Sequence, residues 1–215
     1  MLTLPVEPPS AGSFMNDSIF NPEQQQQDLS SKIVAGLERI SEVFKILIWE
    51  KAKIVGLSPI QIQLLLFIAF HKQEMCSVSH LAKEFNVTKP TISDAIRMLH
   101  KKELIIKDYS SPDSRSYTIL LSQRGRQMVS ETGDFAAPLK NKLTNFEQSE
   151  LESLFATVSQ LIYKLNHNGI LTIQRMCFAC TFYERQSSHD YCNLLKKPLA
   201  NNDIRLDCPE FKENV

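Results

Sequence analysis

This chain of 215 residues has little glycine and no long apolar segment, and both shortages exclude classes of function. Its six glycines are scattered, so none of the spacings that form a phosphate-binding loop or a dinucleotide fingerprint occurs. The longest apolar stretch, Ile62 to Phe70, is interrupted by Gln63 and is much shorter than a bilayer span. No basic region followed by an apolar core opens the chain, so we predict no secretion signal and expect a cytoplasmic protein.

Catalytic patterns are also missing from the sequence. No His-x-x-x-His pair and no Ser–His–Asp arrangement can be identified, and His71, His80, His100 and His167 are scattered along the chain. We interpret these histidines as surface or core residues and expect that the protein is not an enzyme. The remaining enzymatic alternative is redox chemistry on the clustered cysteines, and no other feature of the sequence supports it.

The charge is balanced overall but unevenly distributed. The chain has 24 Lys and Arg residues against 24 Asp and Glu residues. Residues 1–28 carry four acidic residues and no Lys or Arg, whereas residues 89–126 carry eight basic residues against four acidic ones. A local basic excess favours a nucleic-acid contact in that segment, because distribution matters more than net charge.

Periodicity divides the chain into a tail and a series of helices. Residues 1–27 combine prolines with a glutamine run and predict a disordered tail. Apolar residues at helical spacing then predict a long first helix over residues 28–55, which ends at Gly56. A second helix, apolar on most sides and therefore buried, begins after Ser58 with Pro59 at its first position.

The central segment has the order helix, short turn, helix, hairpin. Residues 77–85 predict a third helix and residues 89–102 a fourth. Two short β-prone runs, 104–108 and 117–121, flank a stretch rich in turn formers. A fifth helix begins at Ser122, and a sixth covers roughly residues 147–166. The pattern predicts a mainly α fold with a small β-hairpin wing, which is a winged helix-turn-helix with a helical dimerisation region.

The fourth helix can enter the major groove of DNA, because its outer face carries small polar and basic side chains. Its N-terminal end and the hairpin tip are suited to phosphate contacts, and its outer face to base contacts. The candidate DNA-binding residues are Thr88, Lys89, Thr91, Ser93, Arg97, Lys101 and, on the hairpin, Arg115. From periodicity alone, a helical domain with a solvated basic face fits equally well.

Three motifs in order resemble the MarR (multiple antibiotic resistance regulator) family. Leu57-Ser58-Pro59-Ile60-Gln61 is similar to the opening of that family's second helix, "SVSHLAKEFNVTKPTISDAIRMLHKKELI" to its helix-turn-helix, and "DYSSPDSRSYTILLSQRGRQMV" to its wing. The resemblance places Asp113 and Arg115 at the wing tip and Gly125 at the start of the next helix. Glu103, where the family usually has glycine, and Lys107, where it often has arginine, depart from the pattern.

The resemblance implies a transcription regulator that binds a palindromic operator in double-stranded DNA as a homodimer, with a small-molecule effector as a possible modulator. We therefore divide the chain into the tail 1–27, a winged-helix domain 28–169 and a segment 170–215. Within the domain, 57–122 would bind DNA, and 28–55 and 123–169 would dimerise. The rival interpretation is a winged helix that binds proteins, with the C-terminal segment as a metal-binding adaptor.

Four of the five cysteines lie in the last 39 residues. Cys177 and Cys180 form a Cys-x2-Cys knuckle, Cys192 follows after 11 residues and Cys208 after 15 more. Four thiolates can close a tetrahedral zinc site, which would also stabilise a segment too small to fold alone. We predict metal binding by these four cysteines and favour zinc. An iron–sulfur cluster is the alternative, since Cys208-Pro209 resembles the Cys-Pro of some ferredoxins. Free thiols or a redox disulfide remain open.

The fifth cysteine, Cys76, precedes the third helix. Some regulators of the resembled family use a cysteine as an oxidation sensor, but an unpaired cysteine is more often a small buried hydrophobe. We favour the buried interpretation.

Overall fold

A computed structural model describes residues 18–110, 117–171, 173–186 and 189–213. They form a mainly helical chain with a two-stranded antiparallel wing, which confirms the predicted winged helix-turn-helix. The helices are α1 (Pro22–Gln27), α2 (Leu29–Val55), α3 (Pro59–Phe70), α4 (Val78–Glu84), α5 (Lys89–Lys101), α6 (Gln123–Thr132), α7 (Ala137–Leu143) and α8 (Gln148–His167). The strands are β1 (Ile105–Asp108), β2 (Thr118–Leu121), β3 (Tyr183–Arg185), β4 (Asp190–Cys192) and β5 (Lys197–Leu199). Among these helices, none is by itself long and apolar enough to cross a membrane.

The chain divides into two compact units, and the first comprises residues 1–50. Part of its predicted disordered tail is helical, because the Asn21 side chain accepts the N–H of Glu23 and proline opens α1. Asp28 then accepts the backbone N–H of Ser31 at 2.7 Å at the beginning of α2. Most large apolar residues of α2 in this unit are exposed: Leu29, Ile33, Val34, Leu37, Ile40, Val43, Phe44, Ile46 and Trp49.

The second unit, residues 51–215, is organised around α3. The helix begins after Ser58, as its sequence predicts, and the Ser58 N–H donates to the Gln61 side chain at 2.9 Å. The helix carries buried apolar side chains on most of its faces, in agreement with its lack of an amphipathic pattern. The fully buried side chains around it come from α3, α4, α5 and the wing: Ile62, Leu64, Leu65, Leu81, Ile92, Ile96, Leu99, Leu104 and Ile119.

Helices α4 and α5 form the helix-turn-helix. The turn between them passes through Asn86 at φ +50°, a left-handed conformation that asparagine tolerates better than most residues. After α5 the chain enters the wing, where Ile105 pairs with Leu121 and Asp108 with Thr118. Beside the wing, the Cys76 carbonyl accepts the Ile119 N–H at 3.0 Å, so the segment before α4 is hydrogen-bonded to strand β2.

The wing is closed by an unusually tight junction between β1 and α6. The Ser122 N–H donates to the Leu104 carbonyl at 3.1 Å, and the Ser122 hydroxyl donates to the Glu103 carbonyl at 2.6 Å. A Cβ added to Gly125 would overlap the Leu104 carbonyl oxygen, so only glycine fits there. Glu103 itself has φ +60°, the conformation that favours the glycine of the family pattern. Glutamate thus replaces the usual glycine at position 103, and the backbone there still adopts the left-handed conformation.

Beyond the wing, the structure adds two features that periodicity did not predict. Helix α7 lies between the predicted fifth and sixth helices, with Pro138 in its first turn. The C-terminal segment contains an antiparallel sheet in the order β3-β4-β5. Its small core joins Leu199 and Ile204 to Cys177, and Phe155 of α8 packs against this core. The cysteine-rich segment is thus packed against the winged-helix domain in the second unit.

Candidate functional site

The outer face of α5 is the first candidate site. Ile92, Ala95, Ile96 and Leu99 are buried, and they fix the helix to the core along one side. The opposite side is exposed at Thr91, Arg97 and Lys101, and Ser93 is half-buried at its edge. The structure therefore brings the predicted groove-facing residues of this helix onto one accessible surface.

The N-terminal end of α5 is ordered by a threonine pair. The Thr88 hydroxyl accepts the Thr91 N–H at 3.3 Å and lies 2.8 Å from the Thr91 hydroxyl. Thr88 and Lys89 are both exposed, next to the helix N-terminus, where backbone N–H groups and the helix dipole favour anions. Both residues are therefore accessible at this end of the helix, and their contact with phosphate stays a prediction.

Arg97 is held in the free protein by an ion pair with Asp94, one turn earlier. Both side chains are largely exposed, so the pair contributes little to stability. It does orient the guanidinium along the outer face. A contact with a guanine base would have to compete with Asp94 for the same donors.

The wing is described at its base only, because the predicted wing-tip residues Asp113 and Arg115 lie outside the described residues. At the base, the Gln73 side chain donates to Asp108 at 2.6 Å and to Thr118 at 2.9 Å, and so holds both strands. The ammonium of Lys107 lies 4.6 Å from the centre of the Tyr117 ring. These contacts fix the direction in which the wing leaves the domain.

The second candidate site is a single pocket lined by Cys177, Cys180, Cys192 and Cys208. The structure thus brings together all four cysteines that the sequence predicts as ligands. The first two lie at the ends of one short 3-10 turn, in which the Cys180 N–H donates to the Cys177 carbonyl at 2.9 Å. The third ends β4, and the fourth is fixed by its own N–H, which donates to the Arg175 carbonyl at 3.0 Å.

Two opposing effects act on the Cys177 thiol. Burial raises its pKa, and the three other cysteines nearby raise it further, whereas the Arg205 N–H that donates to its sulfur at 3.3 Å lowers it. The guanidinium of Arg205 also lies 3.8 Å from the sulfur of Cys208. The pocket therefore holds four sulfurs close enough to influence one another electrostatically, with donors directed at two of them.

The described side chains nevertheless contain no group of three or more histidine, cysteine, aspartate or glutamate residues that could hold one metal ion. Zinc binding by these cysteines stays a prediction.

A network that sequence reasoning missed joins the cysteine segment to the helix-turn-helix. Arg175 donates to Glu84 of α4 through two nitrogens, at 2.8 and 2.9 Å, and to Asp207 at 2.6 Å. Asp207 also lies 2.7 Å from the Nε2 atom of His71, at the end of α3. The Arg175 guanidinium is stacked 5.5 Å from the centre of the Phe67 ring.

The charges of this network support one another. Hydrogen bonds to Glu84, followed by those to Asp207, raise the pKa of the Arg175 guanidinium. Burial alone would raise the pKa of Asp207, but the hydrogen bonds from Arg175 and His71 outweigh it and hold that pKa below its usual value. No local pattern could have paired these residues, since 91 positions separate Glu84 from Arg175. The only sequence signal is that Arg175 and Asp207 lie within two residues of a predicted ligand.

We expect Arg175→Met to destabilise the second unit by about 3 kcal/mol, because it leaves the largely buried Glu84 carboxylate without the guanidinium and leaves Asp207 with His71 alone. The matched control is Arg185→Met, which removes an exposed guanidinium that pairs with Asp190 in the same segment and should cost less than about 1 kcal/mol, because Asp190 keeps its hydrogen bond from Tyr183. Urea unfolding followed by circular dichroism measures both. Hydrogen exchange should show faster exchange over residues 205–213 in the first variant only. Equal losses would contradict the docking role of Arg175.

The remaining cysteine is separate from this site. Cys76 is 1% exposed, and burial followed by the charge of Glu74 raises the pKa of its thiol to about 11. The thiolate, which is the reactive form, is therefore scarce at neutral pH. The structure agrees with the interpretation of Cys76 as a buried hydrophobe.

Comparisons with known proteins show what the winged segment is similar to. A family model described as the MarR family matches residues 55–116. The crystal structure of the S. aureus MepR–DNA complex has a TM-score of 0.52 at 24% identity, covering 60% of this chain and 94% of that one. The structure of S. aureus MepR in DNA-binding conformation gives 0.54 at 22%, covering 62% and 98%. The structure of transcriptional regulator PA3341 gives 0.55 at 20%, covering 63% and 98%. No curated protein sequence matches significantly. At these identities the structural likeness establishes a shared fold.

Proposed function

Since a model of the MarR family matches residues 55–116, we propose that this protein is a sequence-specific, DNA-binding transcription regulator that acts as a homodimer. The observation that carries the proposal is the surface of α5. Its buried side fixes the helix to the core. Its outer side presents polar and basic groups, and the described part of the chain leaves that side exposed. A relative of the same fold, S. aureus MepR, has been crystallised with DNA.

The division of labour on DNA follows from position along α5. Thr88 and Lys89, at the helix N-terminus, would bind phosphates and set the register. Thr91, Ser93 and Arg97 would face base edges in the major groove, and Lys101 would contact the backbone where the helix leaves it. Arg115 on the wing would reach a neighbouring phosphate or the minor groove.

Dimerisation is supported by two exposed apolar surfaces, one on α2 and one on α8. In the first unit, α2 exposes large hydrophobic residues along its length, with Ile33 52% and Trp49 55% exposed. In the second unit, α8 exposes Leu154 and Leu161 two turns apart on one side. A monomer rarely leaves such extended apolar surface in water, so a second copy of the chain is the proposed cover. Two copies would place two α5 helices on a palindromic operator.

Regulation would act by a population shift. The dimer would exist in two states that differ in the spacing of the two α5 helices. A small ligand, or a change in the cysteine segment, would favour one of these states. Operator affinity would then change by no more than the difference in the ligand's affinity for the two states. The contact of Arg175 with Glu84 of α4 gives the cysteine segment a physical connection to the helix-turn-helix.

The test is selection from a random-sequence DNA duplex library, followed by anisotropy measurements on the selected duplex. We expect Thr91→Ala and Arg97→Ala each to weaken binding by about tenfold to a hundredfold, because base contacts are lost. Lys89→Ala should weaken all duplexes alike and reduce the salt slope by about 1.

The matched control is Lys140→Ala, which removes an exposed basic residue from α7 and should change affinity less than about threefold. If the wild-type protein enriches no sequence over the starting library, the proposed function is wrong. If it does enrich one but the α5 variants bind it normally, the assignment of the reading surface is wrong.

A further inference from the structure

An acidic side chain lies in the middle of the surface that we propose to contact DNA. Asp94 is on the outer side of α5, one turn before Arg97 and two turns before Lys101, and its side chain is 66% exposed. The opposite side of the helix is buried at Ile92 and Leu99. DNA is a polyanion, so this carboxylate opposes the binding of a duplex of any sequence. Attraction to phosphate therefore does not account for its position.

Asp94 and Arg97 form an ion pair in the free protein, in which the Nη2 atom of Arg97 donates to the Oδ1 atom of Asp94. This hydrogen bond has to open if Arg97 is to contact a base with the same donors. A guanidinium that turned to a guanine would then leave the Asp94 carboxylate without a partner in a desolvated interface, which costs affinity. The exchange is favourable only where the same base pair offers a donor to Asp94.

The G·C base pair provides that donor next to the acceptors of guanine. In the major groove it presents two adjacent acceptors, guanine N7 and O6, followed by one donor, the N4 amino group of cytosine. We propose that Arg97 and Asp94 together read one G·C pair in each half-site, Arg97 by donating to guanine and Asp94 by accepting from cytosine N4. This assignment rests on the proposed DNA binding and names the base pair that the α5 surface selects.

An A·T base pair does not satisfy both side chains. It presents its one donor, adenine N6, between two acceptors, adenine N7 and thymine O4. With Asp94 on that donor, Arg97 reaches a single acceptor and loses the bidentate contact through which arginine discriminates. On unmatched DNA the ion pair stays closed, so the charge of Arg97 is compensated and adds little to phosphate attraction. Asp94 therefore raises selectivity by weakening the binding of wrong sequences.

The other basic groups of α5 can supply the affinity that Asp94 removes. Lys89 at the beginning of the helix and Lys101 at its end are both exposed. They flank the Asp94–Arg97 pair, at positions suited to phosphate contacts on either side of the groove. The helix thus combines basic ends, which attract any duplex, with a middle that discriminates between sequences.

The experiment starts from the duplex that the full wild-type chain selects from a random library. Each G·C pair of that duplex is changed to A·T in turn, and anisotropy measures the affinity of wild type and Asp94→Ala for every duplex. For wild type, we expect one such change per half-site to weaken binding by about a hundredfold, because two side chains lose their contacts. At that pair the change should cost Asp94→Ala only about tenfold, from Arg97 alone. Asp94→Ala should also bind the unselected library more tightly than wild type does.

A second variant and a matched control keep this test decisive. Asp94→Asn retains the shape of the side chain and removes its charge, and it should lose selectivity at the same base pair. Glu152→Ala removes an exposed carboxylate from α8 and should keep the full wild-type preference for G·C. If wild type selects a sequence but both Asp94 variants retain its preference at every G·C pair, the role of Asp94 is overturned and the proposed function stands. Enrichment of no sequence by wild type overturns both.

Discussion

Monomers are the expected product when Leu154 and Leu161 are both replaced by glutamate, together with a loss of operator affinity of at least about a hundredfold. These leucines are 50% and 38% exposed on α8. A carboxylate at either position would be buried without a partner in the proposed dimer but solvated in the monomer, so the substitutions would act on the interface and spare the fold. A monomer holds only one half-site and loses the gain from simultaneous contact with the second.

The control for this prediction is the pair Ser153→Glu and Gln160→Glu, which adds the same two charges to exposed polar positions of α8. This variant should remain dimeric and bind DNA within about threefold of wild type. Light scattering measures the oligomer, and anisotropy measures DNA affinity. A Leu154→Glu, Leu161→Glu protein that stays dimeric would place the interface elsewhere, with the exposed apolar side of α2 as the next surface to test.

Gly125→Ala is expected to destabilise the second unit by about 3 kcal/mol, which is large for the addition of one methyl group. The added Cβ would overlap the Leu104 carbonyl oxygen, which accepts the Ser122 N–H and cannot move without opening the wing junction. The strain cannot be relieved by a side-chain rotation, because the obstructing atom is backbone.

Two controls bracket this prediction. Gly36→Ala, in the interior of α2 with open space around its Cβ, should stabilise the chain by about 0.5 to 1 kcal/mol. Glu103→Gly should be neutral or stabilise by up to about 1 kcal/mol, because φ +60° costs glycine nothing. Thermal unfolding of the three variants ranks them. If Gly125→Ala melts within a degree of wild type, the close approach to Leu104 does not exist in solution.

Local signals were sufficient to predict the central part of the fold. Pro59 after Ser58, the apolar period of Ile92, Ile96 and Leu99, and the turn formers of the wing act over a few residues. The beginning of α3 and the bounds of α4, α5 and both wing strands therefore agree with the prediction to within one or two residues. The outer face of α5 follows directly from the same period.

Features that depend on distant contacts could not be predicted. The three-residue strands of the cysteine segment are too short to show a period of their own, and they exist because the segment packs on Phe155 and pairs with itself. Helix α7 has only two leucines and begins after a turn that the sequence does not mark. The ion pairs of Arg175 join residues that are far apart in sequence, so periodicity carries no information about them.

The Arg175 network also makes any communication through it reciprocal. Arg175 and Asp207 lie beside Cys177 and Cys208, while their partners Glu84 and His71 belong to the helix-turn-helix and the helix before it. If an occupant of the cysteine pocket changes DNA affinity by some factor, DNA must change the affinity for that occupant by the same factor. Binding to a promoter would then change the affinity of the cysteine pocket for its occupant. DNA-bound and free molecules in one cell would therefore respond to different concentrations of that occupant.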